Sequence, residues 1–174
     1  IYQQNNRNIM NFNNNQVSEP RPVSYASEFE HLLSKIAIKF INLSVDEIDD
    51  GINHALGLIG EFNQVDRAYI FLLHENDKKM SNSHEWCAPG VDPQIENLQD
   101  LPSDIFPWWM EKIRRYETIH IPEVDKLPKE ASTEKEILQQ QDIQSLVVVP
   151  LFYKQEILGF IGFDSIAHKK TWSE

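Results

Sequence analysis

Apolar positions recur at helical spacing early in the chain. Phe29, Leu32, Leu33, Ile36, Ala37, Phe40 and Ile41 fall on one face of a helix, and Ile48, Ile52, Ala55, Leu56, Ile59 and Phe62 fall on one face of a second. Ser27 with Glu30, and Ser44 with Glu47, have capping-box spacing and place the two helix starts. Packing against a sheet accounts for both stripes; Ile38, Leu43 and Leu58 lie outside them and are available for a helix–helix surface.

The period then changes to two. In Arg67 to Leu73, Tyr69, Phe71 and Leu73 point one way and Ala68, Ile70 and Leu72 the other, so this strand is expected to be covered on both faces. Asn76, Asp77 and Lys78 supply a hairpin turn, and a half-exposed return strand runs from Lys79 to Cys87 before Ala88-Pro89-Gly90. A second hairpin joins Leu146–Tyr153 to Ile157–Phe163, with Pro150 predicting a bulge or a gap in pairing. Gly159 and Gly162 leave room for another backbone or side chain. Between the hairpins, Pro107 opens a helix running to about Tyr116, Thr118–Ile121 is a short strand, 122–128 is loop, and Thr133 with Glu136 opens a helix to about Gln141. Antiparallel hairpins with segregated helices make an α+β fold. Residues 1–26, rich in asparagine and ending near Pro20 and Pro22, read as a disordered linker, and 27–174 as the domain.

Charge removes several functions. The chain carries 27 acidic and 16 basic residues, a formal net of −11, which disfavours nucleic acid and anionic membranes as partners. No apolar run approaches the roughly 20 residues of a membrane helix, and the polar start of this sequence does not have the pattern of a signal peptide, so a cytoplasmic location is expected. The first residue, Ile1, suggests a fragment.

The run Gln141-Asp142-Ile143-Gln144-Ser145 through Leu151, then Leu158-Gly159-Phe160-Ile161-Gly162-Phe163-Asp164 and Thr171-Trp172-Ser173, resembles the closing half of a GAF domain. Asp66 to Phe71 with Glu85-Trp86 resembles its opening hairpin, and Phe106-Pro107-Trp108-Trp109 with Ile119-His120-Ile121-Pro122 and Leu127-Pro128 its middle. The resemblance implies a central antiparallel sheet of about six strands, terminal helices on one face, and an excursion on the other that often encloses a small-molecule pocket. It also implies a homodimer through the terminal helices, a last helix cut short at Trp172-Ser173-Glu174, and an output domain downstream of Glu174, as in sensor histidine kinases or diguanylate cyclases. Pocket candidates are Trp86, Trp108, Trp109, Ile121, Leu138 and Val148.

The chain departs from the bilin-binding pattern, because residues 131–141 hold neither cysteine nor histidine. It lacks a recognisable cyclic-nucleotide signature and the several cysteines of GAF-fold sulfoxide reductases. Gln155 stands where the last hairpin usually has glycine.

Catalysis is not expected. Cys87 is the one thiol, and His84 should point to the opposite face of its strand, away from it. Glu85 and Cys87 share a face, but two ligands make no zinc site, and the histidines are scattered. Arg67, Arg114 and Arg115 offer an anion site, with solvated strand-end or helix charge as the simpler role. No cofactor is expected; a small ligand of unknown identity is possible. The reading is a sensory module that binds a small ligand or neighbouring domain and relays it through terminal helices. The alternatives are a purely structural dimerisation module and a thiol enzyme using Cys87.

Overall fold

The computed structural model describes residues 24–172. Two helices come first, α1 (Tyr25–Ile41) and α2 (Ile48–Asn63). They are followed by β1 (Arg67–His74), β2 (Lys79–Cys87), β3 (Leu101–Pro102), α3 (Pro107–Arg114), β4 (Ile119–Ile121), α4 (Ser132–Gln140), β5 (Ser145–Tyr153) and β6 (Glu156–Ser165). The strands form one six-stranded sheet in the order β3-β2-β1-β6-β5-β4, antiparallel throughout. The α+β class and the two hairpins are therefore as expected, with β3 an addition that the sequence pattern does not signal.

The first helix begins earlier than its sequence suggests. Ser24 is the cap, its hydroxyl accepting from the Ser27 amide at 3.3 Å, so Ser27 lies inside the helix. The reason is the Tyr25 ring, which sits 5.0 Å from Phe62 and donates to Asn63, pinning the first turn to α2. The linker assigned to 1–26 otherwise lies outside the described residues. The second capping box is present: the Glu47 carboxylate accepts from the Ser44 amide at 2.9 Å, and opens a 3-10 turn, Val45–Glu47, ahead of α2.

The helical stripes do not both meet the sheet. Of the α1 stripe only Leu32 is buried; Phe29, Leu33, Phe40 and Ile41 are exposed, Ile41 by 82%. α1 packs on α2, and α2 packs on β2 and β1. The face of α2 nearest the sheet is made by small residues the stripe omitted. Gly57 and Gly60 leave a groove that holds the Trp86 indole; a Cβ at Gly60 would stand 2.6 Å from Trp86 Cε3.

On the opposite face of the sheet lies the main core. Phe71, Met110, Ile113, Ile119, Leu146 and Phe160 are buried there beneath α3 and the loops of the excursion. Both glycines of β6 serve close contacts. A side chain on Gly159 would meet the Phe71 carbonyl, and one on Gly162 would meet the Tyr69 ring. The Pro150 expectation resolves as a gap: β4 pairs with β5 only from Leu146 to Val148, and the register shift falls further on, at Leu151/Phe152. In the 154–155 turn Lys154, not Gln155, takes the left-handed φ, 55°. The last helix of the excursion starts at Ser132 without the Thr133–Glu136 box, and 122–128 contains a 3-10 turn, Val124–Lys126. Among the described residues, no helix is long and apolar enough to cross a membrane.

Candidate ligand site

Strand alternation brings Arg67, Tyr69 and Phe71 of β1 to the core face of the sheet, beside Glu85 of β2 and Asp164 of β6. α3, α4 and the loop after β2 close over them. They enclose a cavity of about 60 Å³. A water needs roughly 10–15 Å³ by this measure, so the space suits a few waters or one small molecule.

One end of the cavity is ionic and buried. Arg67, only 3% exposed, lies 3.7 Å from Glu85 Oε1 and 3.7 Å from Asp164 Oδ2. Its guanidinium also donates to the Gln141 side chain at 3.2 Å and to the Asp92 carbonyl at 3.3 Å. The expectation of a solvated charge at Arg67 is thus corrected: strand alternation turns it inward, where carboxylates neutralise it. Arg114 and Arg115 are exposed. The other Glu85 oxygen accepts from the Gln94 and Ile95 amides at 2.8 and 3.0 Å, tying the loop to β2. Tyr69 donates its phenol to Asp164 at 3.0 Å. Burial is the main reason the Asp164 carboxyl is pushed up to about 7, and also the main reason the Tyr69 phenol lies well above its usual range.

The other end is apolar and aromatic, with Met80, Leu98, Trp109 and Phe160 on its walls. Phe71 stacks on Phe160 with centroids 5.0 Å apart, and Trp109 meets Phe160 edge-on at 5.9 Å. Glu134 of α4 reaches into this region almost wholly buried. Its Oε1 accepts from the Trp108 and Trp109 amides at 2.9 and 3.2 Å, capping α3, whose Phe106 cap position has no side-chain acceptor.

Of the six pocket candidates, the fold brings Trp109 and Leu138 to the cavity wall. Ile121 and Val148 are buried in the adjoining core but do not line the space, and Trp108, also outside the lining, packs half-buried against that core with the Lys112 ammonium 5.0 Å above its ring. Trp86 lies on the opposite face, in the α2 groove, because it is one residue out of phase with Glu85. The polar lining of Arg67, Glu85, Glu134, Gln141 and Asp164 was not among the candidates. Alternation from Tyr69 was a usable signal for Arg67, whereas nothing in the pattern of α4 marks Glu134 as inward.

Cys87 is half-buried opposite Arg67, and burial pushes its thiol up. The His84 ring bonds instead to Ser83 and Asp49. At the β1–β2 hairpin, His74, Glu75 and Asp100 come within ligand distance of one another on the surface. Glu75 is taken up by Lys79 at 2.8 Å and His74 by Ser81 at 3.0 Å.

A six-stranded antiparallel sheet, with helices on one side and an excursion enclosing a mixed polar and aromatic cavity on the other, is the α+β architecture of a GAF-like domain. A family model described as GAF domain matches residues 47–174, and the chain belongs to the GAF family. The histidine kinase FilI of Methanothrix harundinacea (strain 6Ac), described as methanogenesis-regulatory, is 37% identical over 153 residues; the match covers 83% of this chain and 16% of that protein. The phycocyanobilin-bound GAF domain of a cyanobacterial phytochrome superposes with TM-score 0.69 at 20% identity, covering 83% of each chain. The chromophore-binding domain of Stigmatella aurantiaca bacteriophytochrome gives TM-score 0.66 at 15% identity, covering 88% of this chain and 56% of that one. At these identities the structural likeness establishes the fold alone.

Proposed function

We propose that this chain is the cytoplasmic sensory module of a multidomain signalling protein of the histidine kinase type. The cavity between β1, α3 and α4 takes a small ligand, and α2 and α1 carry the response to an output domain. The single observation that supports ligand binding is the cavity itself, which joins buried, unpartnered polar atoms to an aromatic wall. The kinase context rests on the relative FilI.

The ligand is not a bilin in this reading. About 60 Å³ is far below the several hundred Å³ of drug-sized pockets. Cys87 stands on β2 rather than in the excursion. A thiol kept protonated by burial is a poor nucleophile, which favours regulation over catalysis.

The exposed apolar row on α1 supports a homodimer. Leu33 is 46% exposed, Ile38 63% and Ile41 82%. Light scattering on the purified chain, with Ile38→Glu/Ile41→Glu as the control, tests assembly: a dimer that dissociates on substitution is expected. Native mass spectrometry of the same preparation tests the cavity, where an added small mass lost in Trp109→Ala is expected. A wild-type chain that is monomeric at every concentration removes the dimer. A chain that carries no mass and gains none from any small-molecule mixture removes the sensory reading.

A further inference from the structure

The atoms left without partners around the cavity describe their missing complement. Glu134 is 1% exposed, and its Oε2 has no hydrogen-bond partner among the described residues, although Oε1 is fully used by the start of α3. Trp109 is 6% exposed, and its indole Nε1 has no partner either. Both residues line the same cavity. Buried groups of this kind are costly to leave unpaired. One is an acceptor only and the other a donor only.

Three ligand chemistries can be compared with that pair. A carboxylate brings acceptors alone, so it would meet Trp109 but face Glu134 with like charge. The one cation at the cavity, Arg67, is already engaged by Glu85, Asp164 and Gln141 and is not free to attract it. An ammonium brings three donors to one unpartnered acceptor, Glu134 Oε2; its other donors would have to compete with Arg67 for Glu85 and Asp164, setting a second cation beside the guanidinium. The charge it would neutralise is already partly offset by the α3 amides. A neutral amide brings one N–H and one C=O on a compact body, which matches both orphaned atoms. Its apolar part then meets Phe71, Phe160 and Leu98.

We infer that the cavity recognises a small neutral amide or lactam, its N–H donating to Glu134 Oε2 and its carbonyl accepting from Trp109 Nε1. This rests on the proposal that the cavity is a ligand site, and it adds the chemical class of the ligand.

The test compares three five-membered rings of similar size on the full chain, followed through the Trp109 indole N–H resonance, assigned by its loss in Trp109→Phe. 2-Pyrrolidinone has donor and acceptor, cyclopentanone has the acceptor alone, and pyrrolidine is the cation. 2-Pyrrolidinone is expected to shift the Trp109 resonance saturably and to bind at least tenfold more tightly than either of the others. In Glu134→Gln, Oε1 still has an oxygen to replace it at α3, while the free position becomes an NH₂ donor. The preference for 2-pyrrolidinone over cyclopentanone should then disappear. Equal binding of cyclopentanone or pyrrolidine to the wild-type chain overturns the amide assignment and leaves the cavity a ligand site. Failure of all three rings to perturb the Trp109 resonance overturns the assignment and the ligand site together. The wild-type ranking decides the matter even if both variants fold poorly.

Discussion

Replacing Gly162 by alanine should damage the cavity through Tyr69. The two residues face each other across β1 and β6, and the outer end of the Tyr69 ring occupies the space a side chain at 162 would need. A Cβ at 162 would stand 2.5 Å from the Tyr69 oxygen, where non-bonded atoms need about 3.5 Å. The ring must therefore move by about 1 Å. That movement breaks its 3.0 Å hydrogen bond to Asp164, which has no room to follow because it is buried against Arg67. Losing that bond between buried groups costs about 1–3 kcal/mol. Overpacking costs a further ~1–3 kcal/mol, offset by about 0.5–1 kcal/mol from removing a strand glycine. The net is a destabilisation of about 1–5 kcal/mol, centred at about 3 kcal/mol or roughly 10 °C in Tm for a domain of this size. Urea denaturation of the wild type, Gly162→Ala and Tyr69→Phe measures it. Tyr69→Phe removes the hydroxyl while keeping the ring seated, so it should cost only about 1–2 kcal/mol. A Gly162→Ala protein as stable as the wild type, or less damaged than Tyr69→Phe, refutes the seating of Tyr69 on Gly162.

Asp164 should impose a pH dependence of unusual sign. Its folded carboxyl titrates at about 7 against an unfolded value near 3.8, so the folded state holds the extra proton between them. Stability attributable to this group therefore falls as pH rises from about 4 to 7, with a ceiling on the order of 4 kcal/mol. Denaturation of Asp164→Asn and wild type at pH 5 and pH 8 checks this; the gap between them should shift toward the variant at pH 8, and parallel profiles would contradict it. Trp109→Ala should cost roughly 3–5 kcal/mol and Trp108→Ala less than half of that, since only Trp109 is buried; a thermal melt ranking them the other way would reverse their placement. Gly60→Ala gains about 1 kcal/mol of helix propensity but meets the Trp86 ring, at about 1–3 kcal/mol of overpacking, so a net loss of up to ~2 kcal/mol is expected. A more stable Gly60→Ala protein would show that Trp86 is not wedged in α2.

What was legible in the sequence follows from which physical signal each residue carries. The period-two runs of β1, β5 and β6 are unambiguous because their strands are covered on a face that only apolar side chains tolerate. The start of α3 was legible from Pro107 alone. β3 was not, because two residues, Leu101 and Pro102, carry no period. The face of α2 was misjudged because periodicity counts large apolar residues, and the sheet contact is made by Gly57 and Gly60, which contribute space instead of side chain. Half of the cavity shared that fault in another form. Its apolar wall includes Trp109 and Leu138, which the family resemblance offers as pocket candidates, whereas Arg67, Glu85 and Asp164 look like surface charges until their mutual neutralisation inside the fold is seen. Glu134 was least legible of all, since its partners are backbone amides 25 and 26 residues away.

The same strand geometry that misled the reading of Trp86 gives the proposed relay its physical basis. Glu85 and Trp86 are neighbours on β2, so the pleat sends one to the cavity and the other to the helices. Glu85 is fixed by Arg67 and by the Gln94 and Ile95 amides, and Trp86 is fixed by the groove between Gly57 and Gly60. Neither side chain can be displaced along the strand without carrying the other, because one peptide unit separates them. Phe62 at the end of α2 in turn holds both Tyr25 and Phe29 of α1, at 5.0 and 5.8 Å. A ligand that binds equally well to both positions of β2 would shift nothing, however tight its binding. Signalling through this path therefore requires that the occupant alter the Arg67–Glu85 separation, which at 3.7 Å, like that of Arg67–Asp164, is too long for a direct hydrogen bond and has room to tighten.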